Sequence, residues 1–525
     1  MAVARVACRA QLGLQAPLVH VEVSLASGLP AFCIVGLPAT VVKESKERVR
    51  AALLNSRFEF PAGRITVNLA PADLPKEGGR FDLPIALGIL IASGQIRSGR
   101  ASGREGCETR EFYGELGLTG ELKPVRGLLL AAAQAQQHGH ELIVPRANAA
   151  EAGAAAPARV RAASHLLEVC AHVSGETPLP TWTPPREGAG GRSPDTIRAP
   201  PDLADVRGQA FPKRALVIAA AGGHSLLMIG PPGSGKSMLA QRLPGLLPPL
   251  DRSEALEVAA IAAVSAAGFT ADCLARRPFR APHHTASAAA LVGGGARARP
   301  GEISLAHHGV LFLDELPEFD RAVLEALREP LDTGTVAVSR AALQSQYPAE
   351  FQLIAAMNPC PCGRQGDPAG DCRCTPAQIR RYLGRVSGPL LDRLDMHVEV
   401  PRVTAAEFEA AERGGESSRA AADRIAAVRG AQLGRQGRCN ARLSDAEVQR
   451  WCVVDEAGAR VLEKGMRQRA LSGRARVRLL RLARTIADLQ GAPAIGVAHI
   501  GEALMLRCLD RAATPPSAPC DRRPA

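Results

Sequence analysis

The chain has 525 residues, 46% of them hydrophobic and 22% charged, which is typical of a globular protein with about two to four domains. No apolar stretch reaches the ~20 residues that a membrane-spanning helix requires, and no secretory signal is evident, so we expect a cytoplasmic protein without membrane contact. A net charge of +12 suits a polyanionic partner, nucleic acid above all, although an arginine-rich proteome of high GC content produces the same bias.

The N-terminal third reads as alternating strands and helices and is predicted to form a domain over residues 1–172. Strands are expected at Val19–Val23, Ile65–Leu69 and Leu142–Val144. The polar, glycine-bearing stretch Arg97–Glu111 predicts a surface loop, and residues 173–201, rich in Pro, Gly and charge, predict an interdomain linker.

The most informative motif opens the middle domain, predicted over residues 202–402. It fits the phosphate-binding pattern G-x-x-x-x-G-K-[ST] and reads Gly230-Pro231-Pro232-Gly233-Ser234-Gly235-Lys236-Ser237. A predicted strand, Ser225–Ile229, precedes it, and a helix-forming run, Met238–Leu243, follows it. Its glycines let backbone N–H groups close around phosphate oxygens, Lys236 can reach the outer phosphates, and the Ser237 hydroxyl can ligate Mg²⁺. We therefore expect ATP and Mg²⁺ as cofactors.

Two further predicted strands end in polar residues. Val310–Leu313 leads into Asp314, placed to hold Mg²⁺, and Glu315, placed to polarise the water that attacks the γ-phosphate. The strand Phe351–Met357 ends at Asn358, whose side chain can sense that phosphate. The alternative for Asn358 is an ordinary turn before a proline.

Two arginines complete the predicted hydrolysis site. Arg393 has the planar fork that spreads transition-state charge, and in a ring it would reach into the neighbouring subunit's site. Arg474 follows Ser472, a good N-cap, and is expected to open a helix and touch the phosphates. Arg476 and Arg478 compete with Arg474 for this role.

Four cysteines fall within one short stretch. Cys360 and Cys362 are separated from Cys372 and Cys374 by nine residues that include three glycines and a proline. Four thiolates brought together by chain reversal suit tetrahedral Zn²⁺, so we expect a structural zinc site; an iron–sulfur cluster and four reduced thiols are the alternatives.

The C-terminal region carries Ala, Leu, Arg and Glu at helical spacing and predicts a helical lid over residues 403–512, followed by a disordered tail, 513–525. Between residues 460 and 484 there are nine Lys or Arg and one acid. This run is interpreted either as a solvated helix face with one phosphate sensor or as a lid that also contacts DNA.

Together these residues resemble the AAA+ ATPases of the magnesium-chelatase-like branch, and most closely the YifB/ComM family. The resemblance covers nearly the whole chain. Its most specific stretches are Gly36–Pro38, Asn68–Lys76, Arg277–Thr285, Pro300–His307, Asn358–Gly363 and Ala483–Leu489.

The resemblance implies an α/β fold with a Lon-protease-like N-terminal domain, a P-loop AAA+ core built on a parallel sheet, and a C-terminal helical lid. It implies a ring, expected to be a hexamer, and a DNA translocase or helicase, since ComM-type members are implicated in branch migration during natural transformation. It also assigns nucleotide roles to Lys236, Ser237, Asp314, Glu315, Asn358, Arg393 and Arg474.

In this branch an insertion separates the two nucleotide motifs, and here residues 281–308 would supply it. Leu291–Gly295 is expected to form a flexible tip flanked by Arg297 and Arg299, which suits contact with a DNA backbone; a surface hairpin without DNA contact is the alternative. With no acid or cysteine expected to be arranged beside them, His283, His284, His307 and His308 are predicted to have structural or loop roles.

Residues 65–150 resemble the proteolytic domain of Lon. That domain places a nucleophilic serine after a Pro-Lys-x-Gly turn and a general-base lysine after a later Gly-Gly-Leu. Here the first region, Pro75–Pro84, holds no nucleophile, and the second, Pro124–Leu129, lacks the lysine, with Lys123 out of register. We therefore expect a protease fold without protease activity.

Two other functions share the same ATP chemistry: the ATPase subunit of a magnesium or cobalt chelatase, and a scaffold that remodels protein partners. Chelatase ATPases usually lack the Lon-like domain and the paired Cys-x-Cys, which favours the DNA motor.

Overall fold

The computed structural model describes residues 2–97, 109–184, 201–295, 298–340, 343–367, 370–404 and 415–510. Arg297, the predicted tail and most of the predicted linker lie outside these ranges. Within them, none of the helices is both long and apolar enough to cross a lipid bilayer.

The N-terminal part is a mixed sheet with helices packed on it. Its strands are β1 (Ala2–Arg9), β2 (Leu18–Ala26), β3 (Ala31–Val35), β4 (Arg64–Ala70), β5 (Arg110–Phe112), β6 (Glu115–Leu116), β7 (Leu122–Lys123), β8 (Glu141–Pro145) and β9 (Val160–Ala163). Its helices are α1 (Thr40–Asn55), α2 (Asp82–Ala92), α3 (Leu128–His138), α4 (Ala149–Ala155) and α5 (Leu166–Ser174). Seven strands form the sheet in the order β3-β4-β2-β1-β5-β8-β9, with β6 and β7 paired separately. The almost wholly apolar α2 lies buried on β1 and β2.

One boundary predicted for this part was wrong. The stretch Arg97–Glu111 was expected to be a loop throughout. Residues 98–108 lie outside the described ranges, but Arg110 and Glu111 belong to β5. Glu111 is fully buried. Its carboxylate pairs with Arg9 of the neighbouring strand at 2.8 Å, and Tyr113 and His140 also hydrogen-bond to it. A charged residue is accepted in this strand because its partners are buried with it.

The middle part is built on a parallel sheet. Its strands are β10 (Leu226–Ile229), β11 (Phe279–Arg280), β12 (Gly293–Gly294), β13 (Arg299–Pro300), β14 (Val310–Leu313), β15 (Thr335–Arg340), β16 (Leu343–Pro348), β17 (Gln352–Met357) and β18 (Met396–Glu399). Five of them pair in parallel in the order β11-β14-β17-β10-β18. Every residue of β10, β14 and β17 is buried, as expected for strands covered on both faces.

Helices cover this sheet and supply its connections. They are α6 (Ala210–Gly222), α7 (Lys236–Ala240), α8 (Leu243–Leu246), α9 (Arg252–Val264), α10 (Asp272–Ala275), α11 (Ala288–Val292), α12 (Glu302–Leu305), α13 (Arg321–Ala326), α14 (Arg328–Thr333), α15 (Pro376–Leu383) and α16 (Gly388–Leu391). Because the strands are parallel, their carboxyl ends meet at one edge of the sheet, where ligands bind in folds of this kind.

The C-terminal part is helical, in agreement with its residue spacing. Its helices are α17 (Ser418–Gln436), α18 (Asp445–Trp451), α19 (Glu456–Arg469), α20 (Gly473–Leu489) and α21 (Val497–Met505). Arg435 and Arg484 both pair with Asp488, and Asn440 donates to the same carboxylate, which joins α17 to α20. The helices α17 and α20 pack on α6 and so lean against the parallel sheet.

The N-terminal and middle parts pack on each other. Leu129 of α3 is buried against Ala259 and Ala263 of α9. The Tyr347 hydroxyl would lie 3.8 Å from a Cβ on Gly13 of the N-terminal part, and it donates to the insertion carbonyl of Ala298 at 2.9 Å. The insertion takes part in this packing, which corrects the expectation that Leu291–Gly295 forms a flexible tip. Leu291 of the expected flexible tip is fully buried, and β12 pairs with β13. A Cβ on Gly293 would lie 2.4 Å from the carbonyl oxygen of Arg299, so glycine here permits close pairing.

Candidate nucleotide-binding site

The glycine-rich loop leaves the carboxyl end of β10 and turns into α7, which begins at Lys236. Strand β10 lies between β17 and β18. Gly235 has a φ of +93°, and a Cβ on Gly230 would lie 2.1 Å from the carbonyl oxygen of Val400. Glycine is therefore required at both positions, and the loop backbone is free to approach a phosphate group.

The Lys236 ammonium lies over this loop. Its Nζ donates to the carbonyl oxygens of Gly230 at 2.7 Å and Pro231 at 2.9 Å, and to Asn358 Oδ1 at 3.4 Å. Burial lowers the pKa of Lys236, and the nearby Asp314 opposes that shift. These hydrogen-bond acceptors are neutral, so an anionic phosphate oxygen can replace them with a stronger charge-assisted bond.

A hydroxyl and a carboxylate meet beside the loop. Ser237 Oγ donates to Asp314 Oδ2 at 2.5 Å, although the two residues are 77 positions apart in the chain. The other oxygen, Asp314 Oδ1, accepts the backbone N–H of Glu315 at 2.9 Å. Oxygen ligands of this kind, completed by phosphate and water, are what Mg²⁺ prefers. The residues present therefore fit ATP together with Mg²⁺.

Glu315 has a partner that the sequence did not reveal. His284 Nδ1 lies 3.2 Å from Glu315 Oε2, so the expectation that no acid accompanies this histidine was wrong. The His284 ring packs edge-on against Phe319 and over His283. Glu315 itself has a φ of +53°, an uncommon conformation for a residue with a side chain and one that clusters at functional sites.

Arg393 lies at the opposite edge of the sheet from Lys236. Its carbonyl oxygen accepts the Ser225 hydroxyl at 3.2 Å, and Ser225 immediately precedes β10, whereas Lys236 follows that strand. Its guanidinium pairs with Asp332, with Nε 3.0 Å from each carboxylate oxygen. The structure therefore does not bring Arg393 to the P-loop of its own chain.

Arg474 is exposed in the first turn of α20, which begins after the N-cap Ser472 as predicted. Further along this helix, Thr485 hydrogen-bonds to His224 at 2.7 Å, and Arg478 lies 3.8 Å from Asp395. Both contacts fall at the start of β10. Like Arg393, the helix that carries Arg474 is therefore held near the edge of the sheet away from the P-loop.

Part of the basic run that contains Arg474 is structural. Arg484 is buried and pairs with Asp488 at 2.9 Å. Arg478 and Arg481 line a polar cavity of about 300 Å³ together with Arg393. Lys464, Arg474 and Arg476 remain on the surface.

The four cysteines converge beside the P-loop. The sulfur of Cys360 lies 3.4 Å from that of Cys362 and 3.7 Å from that of Cys372, and Cys362 and Cys372 are also 3.7 Å apart. All four sulfurs, that of Cys374 included, lie within 4.8 Å of one another. The chain reversal expected from the spacing is present.

A second cluster joins Glu257 to His307 and His308. Both histidines direct Nε2 at Glu257 Oε2, at 3.0 and 3.1 Å, so they too have an acidic partner. His307 Nδ1 accepts the backbone N–H of Glu350 at 3.0 Å, which requires the proton of the neutral ring to sit on Nε2. A protonated Nε2 donates to the carboxylate and cannot bind a metal, so His307 acts as a structural clamp between Glu257 and the backbone of Glu350.

Three family models match this chain. The family described as "Magnesium chelatase, subunit ChlI" matches residues 202–408, "Subunit ChlI of Mg-chelatase" matches 21–148, and "Magnesium chelatase, subunit ChlI C-terminal" matches 415–507. With the P-loop on a parallel sheet, these matches define a magnesium chelatase-like AAA+ protein, a class that implies ATPase activity.

Relatives narrow the class further. The chain is 49% identical to YifB of Salmonella typhimurium and 48% identical to competence protein ComM of Haemophilus influenzae, in each case over 97% of this chain and 98% of the relative. The magnesium-chelatase 67 kDa subunit of Heliobacterium mobile is 28% identical over 38% of this chain and 33% of its own. The chain belongs to the YifB/ComM family.

Proposed function

We propose that this protein is a cytoplasmic, ATP-driven ring motor that moves branched DNA and promotes branch migration in recombination or natural transformation. The observation that carries the proposal is the meeting of Lys236, Ser237, Asp314, Glu315 and Asn358 at one edge of the parallel sheet. This set binds a triphosphate, holds Mg²⁺ and supplies a carboxylate to orient water, which are the parts that phosphoryl transfer needs.

A ring of subunits is proposed because of where Arg393 lies. Hydrolysis by this class of site gains from an arginine at the γ-phosphate, and Arg393 lies at the far edge of its own sheet. Supply from a neighbouring copy resolves this, and a closed ring gives every site such a neighbour. We propose a hexamer, in which Arg393 and Arg474 both serve the adjacent subunit.

DNA is the proposed partner because the chain carries a net charge of +12 and exposes cationic side chains on its C-terminal helices. Lys464 on α19 and Arg476 on α20 are exposed. Surface cations of this kind bind the phosphate backbone without regard to sequence, as a translocating protein requires. The relative named competence protein supports a role in handling DNA that has been taken up.

The N-terminal part is proposed to be a Lon-protease-like platform without proteolytic activity. Its Lys76 is fully buried and donates to the carbonyl of Pro71, with no serine in the surrounding Pro75–Pro84 stretch. The two stretches that would carry a protease dyad face the middle part across a cavity of about 310 Å³, whose lining includes Arg80, Arg126 and Tyr347. Release of peptides from an unfolded substrate in the presence of ATP would contradict this assignment.

The test is a three-strand branch-migration assay with purified protein, ATP and Mg²⁺, comparing the native chain with Glu315→Gln. We expect the variant to bind ATP and DNA but to lose at least about a hundred-fold in hydrolysis and to lose migration with it. Glu329→Gln, which changes an exposed carboxylate on α14, is the matched control and should behave as the native chain does.

Other outcomes separate the competing functions. Migration that persists without hydrolysis, or no DNA binding at moderate salt, would overturn the DNA-motor proposal. ATP-dependent insertion of Mg²⁺ or Co²⁺ into a tetrapyrrole would instead identify a chelatase, and ATP-dependent disassembly of a protein complex would identify a remodelling scaffold.

A further inference from the structure

We propose that the four-cysteine cluster binds one Zn²⁺ and that this ion braces the nucleotide site, so that loss of the metal weakens ATP binding. The inference rests on the proposed ATPase function and extends it to a control point outside the phosphate-binding residues. The cluster comprises Cys360, Cys362, Cys372 and Cys374.

The sulfur positions fit a single tetrahedral ion. Four ligands each about 2.3 Å from a zinc ion lie about 3.8 Å from one another. The three sulfur–sulfur distances among Cys360, Cys362 and Cys372 are 3.4, 3.7 and 3.7 Å. An iron–sulfur cluster would hold its cysteines further apart, because several metal and sulfide atoms stand between them. Four soft sulfur ligands in this arrangement therefore favour Zn²⁺.

The turn that carries the first two cysteines lies directly against the P-loop. Gly363 follows Cys362, and its N–H donates to the carbonyl of Cys360 at 2.9 Å. Its φ is +75°, and a Cβ at this position would lie 2.4 Å from Cδ of Pro232 and 3.7 Å from Cγ of Asn358. The turn thus touches both the phosphate loop and the predicted γ-phosphate sensor.

The second pair of cysteines leads into a helix that contacts the same sensor. Cys374 precedes Thr375, whose side chain accepts the N–H of Gln378 and so caps α15. Tyr382 of this helix is buried, and although burial raises its pKa to about 12, a hydrogen bond with the backbone of Asn358 opposes the rise.

The helix also reaches the strand that carries the acidic residues. Arg385, two residues beyond the end of α15, pairs at 2.8 Å with Glu318, in the turn that follows Glu315. A metal joining the two cysteine pairs would therefore fix the end of β17 to α15, and through α15 to the acidic turn.

The experiment compares metal content with nucleotide affinity. Native protein and three variants are purified without chelator, zinc is quantified by mass spectrometry, and affinity for a fluorescent ATP analogue is titrated. The double variant Cys372→Ser, Cys374→Ser removes two ligands, and Gly363→Ala keeps all four but crowds Pro232. Cys273→Ser, at a cysteine outside the cluster, is the matched control.

We expect one zinc per chain in the native protein, in the control and in Gly363→Ala, and none in the double variant. Nucleotide affinity should fall about ten-fold in both the double variant and Gly363→Ala, because displacement of supporting groups by a fraction of an ångström has effects of this size. Gly363→Ala separates the brace from any folding defect caused by the missing metal.

Absence of stoichiometric zinc from the native protein would overturn the metal assignment. The brace would be overturned if the zinc-free double variant, or Gly363→Ala, bound the ATP analogue with the affinity of the native protein. Failure of the branch-migration assay leaves these measurements unchanged, so a wrong DNA assignment and a wrong brace are distinguishable.

Discussion

The position of Arg393 makes the strongest test of subunit cooperation. Ser225 fixes the Arg393 backbone at the start of β10, and the P-loop begins at Gly230 beyond its other end. The five steps of extended chain from Ser225 to Gly230 span roughly 17 Å. An arginine side chain of six bonds of about 1.5 Å reaches only about 7 Å. Arg393 therefore cannot contact the phosphates bound by its own Lys236.

The perturbation is a pair of variants, each inactive alone for a different reason. Arg393→Ala keeps its P-loop but offers no arginine to its neighbour, and we expect its hydrolysis rate to fall about 10³-fold. Lys236→Ala binds no nucleotide but still offers Arg393. In an equimolar mixture that exchanges subunits, about a quarter of the sites combine an intact P-loop with an intact neighbouring arginine.

The assay is steady-state phosphate release from each variant and from the mixture. We expect the mixture to recover about a quarter of the native rate, which is hundreds of times the rate of either variant alone. Recovery no greater than the average of the two variants would refute supply in trans, as would near-native hydrolysis by Arg393→Ala alone.

Asp332→Asn provides the control for the ion pair that holds Arg393. Asp332 is 51% exposed, and an ion pair screened by solvent to this degree is worth at most about 1 kcal/mol. The variant should therefore change hydrolysis by less than about five-fold. A loss of hydrolysis as large as that of Arg393→Ala would show that the ion pair within the chain is required, and not the supply of arginine to the neighbouring subunit.

Three predictions concern the scaffold. Tyr347→Phe removes the hydroxyl that donates to the insertion backbone and should lower the free energy of unfolding by about 1 kcal/mol, measured by urea denaturation. Arg9→Met leaves the Glu111 carboxylate buried without its cation and should cost about 3–5 kcal/mol, whereas Arg5→Met, exposed on the same strand, should be nearly neutral. Burial alone would raise the pKa of Glu141, but its histidine and arginine partners lower this pKa from 4.5 to about 2. The ionised Glu141 therefore stabilises the fold above pH 4.5, and this contribution is lost as the pH falls toward 2. Glu141→Gln should therefore narrow the difference between urea midpoints at pH 7 and pH 3; an unchanged difference would contradict this.

The sequence determined the parts of the nucleotide site that are local in the chain. A strand, a glycine-rich turn and a helix follow one another between Leu226 and Ala240, and this order imposes the geometry of the loop. The same holds for Asp314 and Asn358, each at the carboxyl end of a buried parallel strand, because such strand ends meet at one edge of a sheet. Helical spacing likewise sufficed for the C-terminal helices, since period is a local property.

Only the tertiary structure decided which distant side chains meet. The contacts of Glu315 with His284 and of Arg393 with Asp332 join residues 31 and 61 positions apart, and no local pattern encodes them. Leu291–Gly295 was expected to form a flexible tip because glycines permit mobility, yet Gly293 here allows two backbones to pack closely. Glycine, histidine and arginine each occur in several kinds of environment. The residue types therefore predicted the chemistry, and only the tertiary structure determined which partner each residue contacts.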